Sequence, residues 1–303
     1  MSPNPSDPID VSSPPASLDA EGYVYLQRLL SERTGIVLDA GKEYLVEARL
    51  HALMQSEGFS SVSSLLASLQ QEERPGGLHR HAIEAMLNGE TSFFRDHYPF
   101  EAFRTTILPE MMERRAATRC LNIWCAASAS GQEAYSVAML LLEHMPLLHD
   151  WRVNLLATDV SEAMLQRARA GSYRQIEVNR GLPASFLVKY FERSGEEWRV
   201  KERVRRMVEF SHLNLIEPWK NLPALDVILM RNVLLYFSNE TRRTILQSVL
   251  RSLRPDGYLI LGGGETFLAL DRTFEPVRIG KAVCYRIRGS YGDAGPNMGT
   301  SPA

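Results

Sequence analysis

Cysteine is scarce in this sequence, and none of it is spaced as a ligand set. The 303 residues contain three, Cys120, Cys125 and Cys284. An odd number argues against a disulfide framework, and the lack of C-x-x-C or Cys/His spacing argues against a metal centre. Reduced, buried thiols are the expectation for all three. Long apolar runs are lacking as well: the longest, near Val137 to Leu142, is far short of the roughly 20 residues that cross a bilayer. The first residues offer Ser, Pro and Asp where a secretory signal needs a basic start and an apolar core, so the expected location is cytoplasmic. No dense Lys/Arg stripe suits nucleic acid. Internal repeats and low-complexity segments are absent from the part expected to fold.

What is present is an ordinary globular composition, 45% hydrophobic, in a chain long enough for about two domains. The net charge of −2 hides a division: residues 18 to 90 hold six Lys/Arg against eleven Asp/Glu, so the C-terminal part is the basic one. Residues 1–17 and 289–303 are rich in Pro, Ser, Gly and Asp and are expected to be disordered. Between 18 and 90, helical spacing runs through Tyr23, Leu26, Leu29 and Leu30, and again through Leu45, Ala48, Leu50 and Leu53. Two shorter helices, Ser60 to Leu69 and Leu78 to Leu87, complete an all-helical domain broken at Gly35, Gly41, Gly58 and Pro75-Gly76-Gly77.

From residue 91 to 288 strands alternate with helices. Tyr98 to Arg115 reads as a helix that leads into a central strand opening at Leu121, followed by strands at Val153 to Thr158, Val208 to Ser211 and Ala224 to Met230. Ser161 caps a helix to Ala170, and Glu240 to Leu253 is another. Pro255-Asp256-Gly257 turns the chain into a strand at Tyr258 to Gly262, and Phe274 to Arg278 with Ala282 to Ile287 reads as a hairpin around Gly280. The expected class is α/β, a doubly wound, mostly parallel sheet. The segment at about 187–208 breaks the alternation and reads as a small antiparallel insertion.

Leu121 to Met139 is the centre of this arrangement: an apolar run, the small residues Ser128, Ala129 and Ser130, then Gly131 and a helical pattern. In a parallel sheet such a loop lets a nucleotide-like ligand approach the backbone. The full G-x-G-x-x-G fingerprint is missing, which disfavours a pyrophosphate and suits a phosphate-free nucleoside such as S-adenosylmethionine; an ordinary strand-to-helix turn has the same pattern. Asp159, 28 residues after Gly131 at a strand end, suits either ribose hydroxyls or a helix cap. Asn214-Leu215 is the next position along that edge, where an amide suits adenine or a turn.

Three motifs in order resemble the CheR family of chemotaxis receptor glutamate methyltransferases. They are Asn88-Gly89-Glu90-Thr91-Ser92-Phe93-Phe94-Arg95-Asp96, Trp124 to Ser128 with Gly131-Gln132-Glu133-Ala134-Tyr135-Ser136, and Met230-Arg231-Asn232-Val233-Leu234-Leu235-Tyr236-Phe237. The resemblance covers about Leu18 to Arg288. It implies a helical N-terminal domain, a sheet domain binding S-adenosylmethionine and a small β insertion. It also implies that Gly89, Thr91 and Arg95 approach the cofactor, that Glu133 and Asp159 hold its polar groups, that Asn214 and Leu215 contact the adenine side, and that Met230 and Arg231 lie near the methionyl end. Arg95 and Tyr236 are the implied catalytic groups. The family commonly has Asn-x-Thr before the two Phe residues, whereas Gly89 stands at the Asn position here and Asn88 is one earlier. Gln132 and Ala134 replace a common Glu and Pro.

A glutamate side chain, with a reference pKa of about 4.3, is already a carboxylate near neutral pH and needs no general base to attack a sulfonium methyl. No Asp/Asn-Pro-Pro-Tyr/Phe box of amino-group methyltransferases occurs. Arg95 suits one role, orienting the substrate carboxylate with help from Tyr236, and equally a pair with Asp96. The implied partners are cytoplasmic helices of membrane chemoreceptors, with S-adenosylhomocysteine as the second product, no nucleic acid, no membrane insertion and no metal. Docking on the acidic helical domain would rest on Arg49 with His51, on Arg28 with Arg33, or on the other domain. Some family members bind a receptor C-terminal pentapeptide through the β insertion; the short loop at Glu192 to Glu197 implies independence from it. A monomer without an attached regulatory module is expected. The competing expectations are a methyltransferase for RNA or a small molecule, and a non-catalytic S-adenosylmethionine sensor.

Overall fold

The computed structural model describes residues 18–72, 76–266 and 271–289. The expected disorder of 1–17 and of the tail beyond Gly289, and the break at Pro75, lie outside the described residues. Contacts divide the chain into two units, Met1–Leu87 and Asn88–Ala303.

The first unit is helical: α1 (Ala20–Thr34), α2 (Glu43–Ser56), α3 (Val62–Gln71) and α4 (Gly77–Met86). Asp19 caps α1 by accepting the Gly22 N–H at 2.6 Å, and Gly35 ends it at φ +74°. Ser61 and Ser64 form a reciprocal capping box on α3. Tyr23, Leu26, Leu29 and Leu30 are buried as their spacing predicts. On α2 the buried stripe is Val46 and Leu50, with Ala48 exposed. Of the expected stripe Leu50 is buried and Leu53 packs against the core, whereas Leu45 is half-buried and Val46 takes the buried place beside it.

In the second unit the expected helix from Tyr98 to Arg115 is three pieces: α5 (Tyr98–Ala102), a π-helical turn (Phe103–Ile107) and α6 (Leu108–Arg114). The Leu108 N–H reaches back to the Phe103 carbonyl, and Pro109 has no N–H with which to continue an α-type ladder. Then follow β1 (Cys120–Ala126), α7 (Gln132–Glu143), α8 (Met145–Leu148), β2 (Arg152–Asp159) and α9 (Glu162–Ala170). After these come β3 (Ser172–Tyr173), α10 (Gln175–Val178), α11 (Ala184–Tyr190), β4 (Phe191–Ser194), β5 (Glu197–Val200) and α12 (Glu202–Arg205). The last elements are β6 (Val208–His212), β7 (Leu225–Met230), a 3-10 turn (Leu234–Tyr236), α13 (Asn239–Ser252), β8 (Leu253–Ile260), β9 (Phe274–Ile279) and β10 (Ala282–Ile287).

The main sheet has the order β6-β2-β1-β7-β8-β10-β9, with β10 antiparallel to both neighbours and the other pairs parallel. Chain order reverses between β1 and β7, where open α/β sheets bind ligands at their carboxyl ends. A second sheet, β3-β5-β4, is antiparallel and includes Ser172 and Tyr173, upstream of the expected insertion. β8 starts at Leu253, directly after α13, rather than at Tyr258. Its pairing with β7 shifts register between Leu225 and Val227, and the Pro255-Asp256-Gly257 stretch is absorbed as an irregularity inside the strand.

β7 is buried throughout, as a central parallel strand must be, yet it contains Asp226, which is fully buried. That carboxylate accepts the Arg115 Nε–H at 2.6 Å and the Asn122 backbone N–H at 2.8 Å, and Arg254 Nε lies 3.2 Å away. Arg115 also grips Asp256, holding its carboxyl below the ordinary carboxylate range. These bonds tie the end of α6 to β1, β7 and β8.

Candidate functional site

Parallel pairing brings the carboxyl ends of β1, β2, β6 and β7 to one edge: Ala126 is in register with Thr158 and Met230, and Asp159 with His212. The loop leaving β1 is strained, and bonds from Ser128 N to the Thr158 carbonyl and from Ala129 N to Asp159 hold it against β2. Ala127, Ala129 and Gly131 all have left-handed φ, +53°, +46° and +91°. For the two alanines this is costly backbone of the kind that clusters at ligand sites. Gly131 is required for a further reason: a Cβ there would stand 3.0 Å from Ala168 Cβ and 3.1 Å from Phe210 Cζ. Its small size therefore serves close packing on α9 and β6.

Asp159 ties this loop to α9. Its two oxygens accept the Ala129 N–H at 2.8 Å and the Ser161 N–H at 2.9 Å, while the Ser161 hydroxyl is the cap, accepting from Met164 N. Burial raises the Asp159 carboxyl pKa, and these N–H groups oppose the rise. Ser128 Oγ, in the same loop, is buried with no hydrogen-bond partner among the described residues. Asn214 closes a turn through Ile216 N and has its amide 3.3 Å from Glu217 Oε1; Leu215 beside it is buried.

A second network centres on Arg231, just past β7 and almost fully buried. Nη1 donates to Glu133 Oε2 at 2.8 Å; Nη2 donates to the Arg95 carbonyl at 2.7 Å and to Asp96 Oδ2 at 2.8 Å. The guanidinium lies over the Phe100 ring at 5.3 Å. Burial raises the Glu133 carboxyl pKa, and Arg231 offsets part of that rise. Arg231 takes Asp96, so the expected alternative of an Arg95–Asp96 pair does not form; Arg95 Nη1 donates instead to the Glu90 carbonyl at 3.1 Å.

The segment from Asn88 to His97 is strained in its turn, with left-handed φ at Phe94, Asp96 and His97. Phe94 N donates to Ser136 Oγ at 3.0 Å, and a Cβ on Gly181 would stand 2.1 Å from the Phe93 carbonyl. The displaced amide has a partner: Asn88 Nδ2 donates to the Tyr236 hydroxyl at 2.5 Å. Gly89 faces Met164, whose sulfur would lie 2.9 Å from an added Cβ, and Thr91 is half-buried. Thus Arg95, Glu133 and Arg231 share one network, Tyr236 joins Asn88, and Asp159, at the end of β2, bonds to the β1 loop that carries Ser128. Met230 ends β7, fully buried. Sequence reasoning missed Asp96 and Gly181 as parts of this site. Asp96 lies within a motif, but its partner is 135 residues away.

The loop fits a nucleoside with polar groups to satisfy: an orphaned hydroxyl at Ser128 and a strand-end carboxylate stand in a strained, small-residue turn. Among the described residues no group of three or more His, Cys, Asp or Glu is arranged to hold a metal ion, and no helix is long and apolar enough to cross a membrane. The family model described as CheR methyltransferase, SAM binding domain, matches residues 89–283, and CheR methyltransferase, all-alpha domain, matches residues 21–87. Chemotaxis protein methyltransferase 1 of Pseudomonas aeruginosa is 39% identical over 268 residues, covering 87% of this chain and 97% of the relative. Chemotaxis protein methyltransferase 1 of Vibrio cholerae serotype O1 is 40% identical over 266 residues, covering 86% and 94%. Chemotaxis protein methyltransferase Cher2 of Pseudomonas putida is 35% identical over 263 residues, covering 86% and 95%. With both family domains in order and a site suited to S-adenosylmethionine, the chain belongs to the CheR methyltransferase family.

Proposed function

We propose that this chain transfers the methyl of S-adenosylmethionine to glutamate side chains on cytoplasmic helices of membrane chemoreceptors, yielding glutamate methyl esters and S-adenosylhomocysteine in chemosensory adaptation. One observation carries the choice of a carboxylate nucleophile: the acids gathered at this sheet edge are already committed. Glu133 and Asp96 pair with Arg231, and Asp159 accepts two backbone N–H groups. None of them stands ready to take a proton from an amine or hydroxyl, and a glutamate substrate brings none. The names of the relatives support chemoreceptors as the substrate class.

Bound at this edge, S-adenosylmethionine supplies an electrophilic sulfonium methyl. Asp159 and the Ser128 hydroxyl, which has no hydrogen-bond partner among the described residues, serve the ribose hydroxyls. Asn214 and Leu215 serve the adenine side; Gly89, Thr91, Glu133, Met230 and Arg231 serve the methionyl side. Arg95 orients the substrate carboxylate through a charge-assisted bond. Because Asn88 donates to the Tyr236 oxygen, the hydroxyl proton is left to hold the second carboxylate oxygen. Such positioning can supply several kcal/mol of the barrier.

On the helical unit, Arg49 donates to the Met86 carbonyl and is tied internally, whereas exposed Arg28 lies over the Tyr25 ring at 5.8 Å and is the better docking cation. The two-residue turn between β4 and β5 supports independence from a receptor pentapeptide.

The test is transfer of labelled methyl from S-adenosylmethionine to chemoreceptor-containing membranes, followed by mild base. Label released as methanol is the expected result. Base-stable label, or none with any receptor of the same cell, would favour RNA, a small molecule or a sensing role instead.

A further inference from the structure

We propose that Glu265 is a positioning residue for Tyr236, an inference that rests on the role given to Tyr236 above. Oε2 of Glu265 accepts the Asn232 N–H at 2.6 Å and the Gly262 N–H at 2.9 Å, and Oε1 accepts the Leu235 N–H at 3.3 Å. Asn232 follows Arg231 directly, and Leu235 lies within the 3-10 turn that presents Tyr236. Asn232 is held at a left-handed φ of +57°, a conformation an unsupported Asn adopts only at some cost.

The carboxylate reaches these donors across bare glycine. A Cβ on Gly262 would stand 2.8 Å from Glu265 Oε2 and 2.7 Å from Asn232 Nδ2. The acid therefore joins the carboxyl end of β8 to that of β7, a link across 30 residues or more of chain. The carbonyls of the same turn are taken by a base: Arg242 of α13 donates to the Leu234 oxygen at 2.7 Å and to the Leu235 oxygen at 3.1 Å. Asn88 fixes the tyrosine hydroxyl from the other side. Among the described residues, Glu265 hydrogen-bonds only to backbone N–H groups and to neither Tyr236 nor Arg95. Its effect on the methyl transfer passes through the backbone that aims Tyr236.

A double-mutant cycle on the full chain separates positioning from mere stabilisation. Glu265→Ala is expected to lower kcat about tenfold to a hundredfold, the scale of a misplacement near 1 Å, with KM for S-adenosylmethionine within about twofold. Tyr236→Phe lowers kcat by removing the hydroxyl. In the Tyr236→Phe background, Glu265→Ala should add little, because nothing remains to be aimed. If Glu265→Ala does not fold, Glu265→Gln replaces it: the amide keeps one acceptor oxygen and loses the other. Losses that multiply in the cycle, an unchanged kcat in the Glu265 variant, or a Tyr236→Phe variant as active as wild type would each overturn the proposal. Failure of the wild-type chain to make base-labile methyl groups on receptors is a different result and overturns the glutamate reading itself.

Discussion

Arg231 and Glu133 are both almost excluded from water, and each is tolerable only because of the other. A buried charge needs partners, and this guanidinium has two carboxylates, a carbonyl and an aromatic face. Arg231→Met would strand Glu133, so unfolding in urea is expected to show a loss of about 3 to 5 kcal/mol; the double variant Glu133→Gln/Arg231→Met should recover most of it. Asp256 carries one part of the pH dependence. Arg115 holds its folded pKa below the ordinary 3.8, so its contribution is present above that value and lost as pH falls through the folded one. Asp256→Asn should flatten the fall in urea midpoint below about pH 4. Neither cluster is legible in the sequence. Asp226 reads as a stray acid in an apolar strand, and its partner Arg115 is 111 residues away, beyond the reach of any spacing rule.

At the scale of elements, the segment leading into Arg95 owes its shape to a glycine on a distant loop. Gly181 has φ +86°, and an added Cβ would lie 2.1 Å from the Phe93 carbonyl. Gly181→Ala is expected to cost about 2 to 4 kcal/mol and to lower activity with it, because the displaced carbonyl drags the Phe94 to His97 turn. Thermal melts and a transfer assay on the same variant check both parts. Periodicity locates most helices and parallel strands correctly, since burial on both faces leaves continuous apolar runs such as β7. It fails where local chemistry breaks the repeat: Pro109 opens a π turn inside an expected α-helix, and β8 begins at Leu253, although its steady pairing with β7 resumes only at Tyr258, after the Pro255-Asp256-Gly257 irregularity. The cap at Ser161 and the turn at Gly280 are readable because each follows from one residue's own geometry.

For the whole molecule, the order of motifs leads to the family, whereas the roles of their residues depend on contacts between motifs. Asn88, out of register in the sequence, meets Tyr236 only because the sheet brings residues 148 apart together. The short β4–β5 turn carries a prediction at this scale: calorimetry with a receptor C-terminal pentapeptide should register no tight binding, and saturable tight binding would assign this chain to the tethered type. If a carboxylate on a receptor helix is the methyl acceptor, the product is visible in tandem mass spectrometry of chemoreceptor peptides after incubation with S-adenosylmethionine and either the wild-type chain or Arg95→Ala. A methyl on a glutamate side chain is expected with the wild type, and its near absence with the variant. A methyl located on any other side chain, or equal glutamate methylation by both proteins, would contradict this reading.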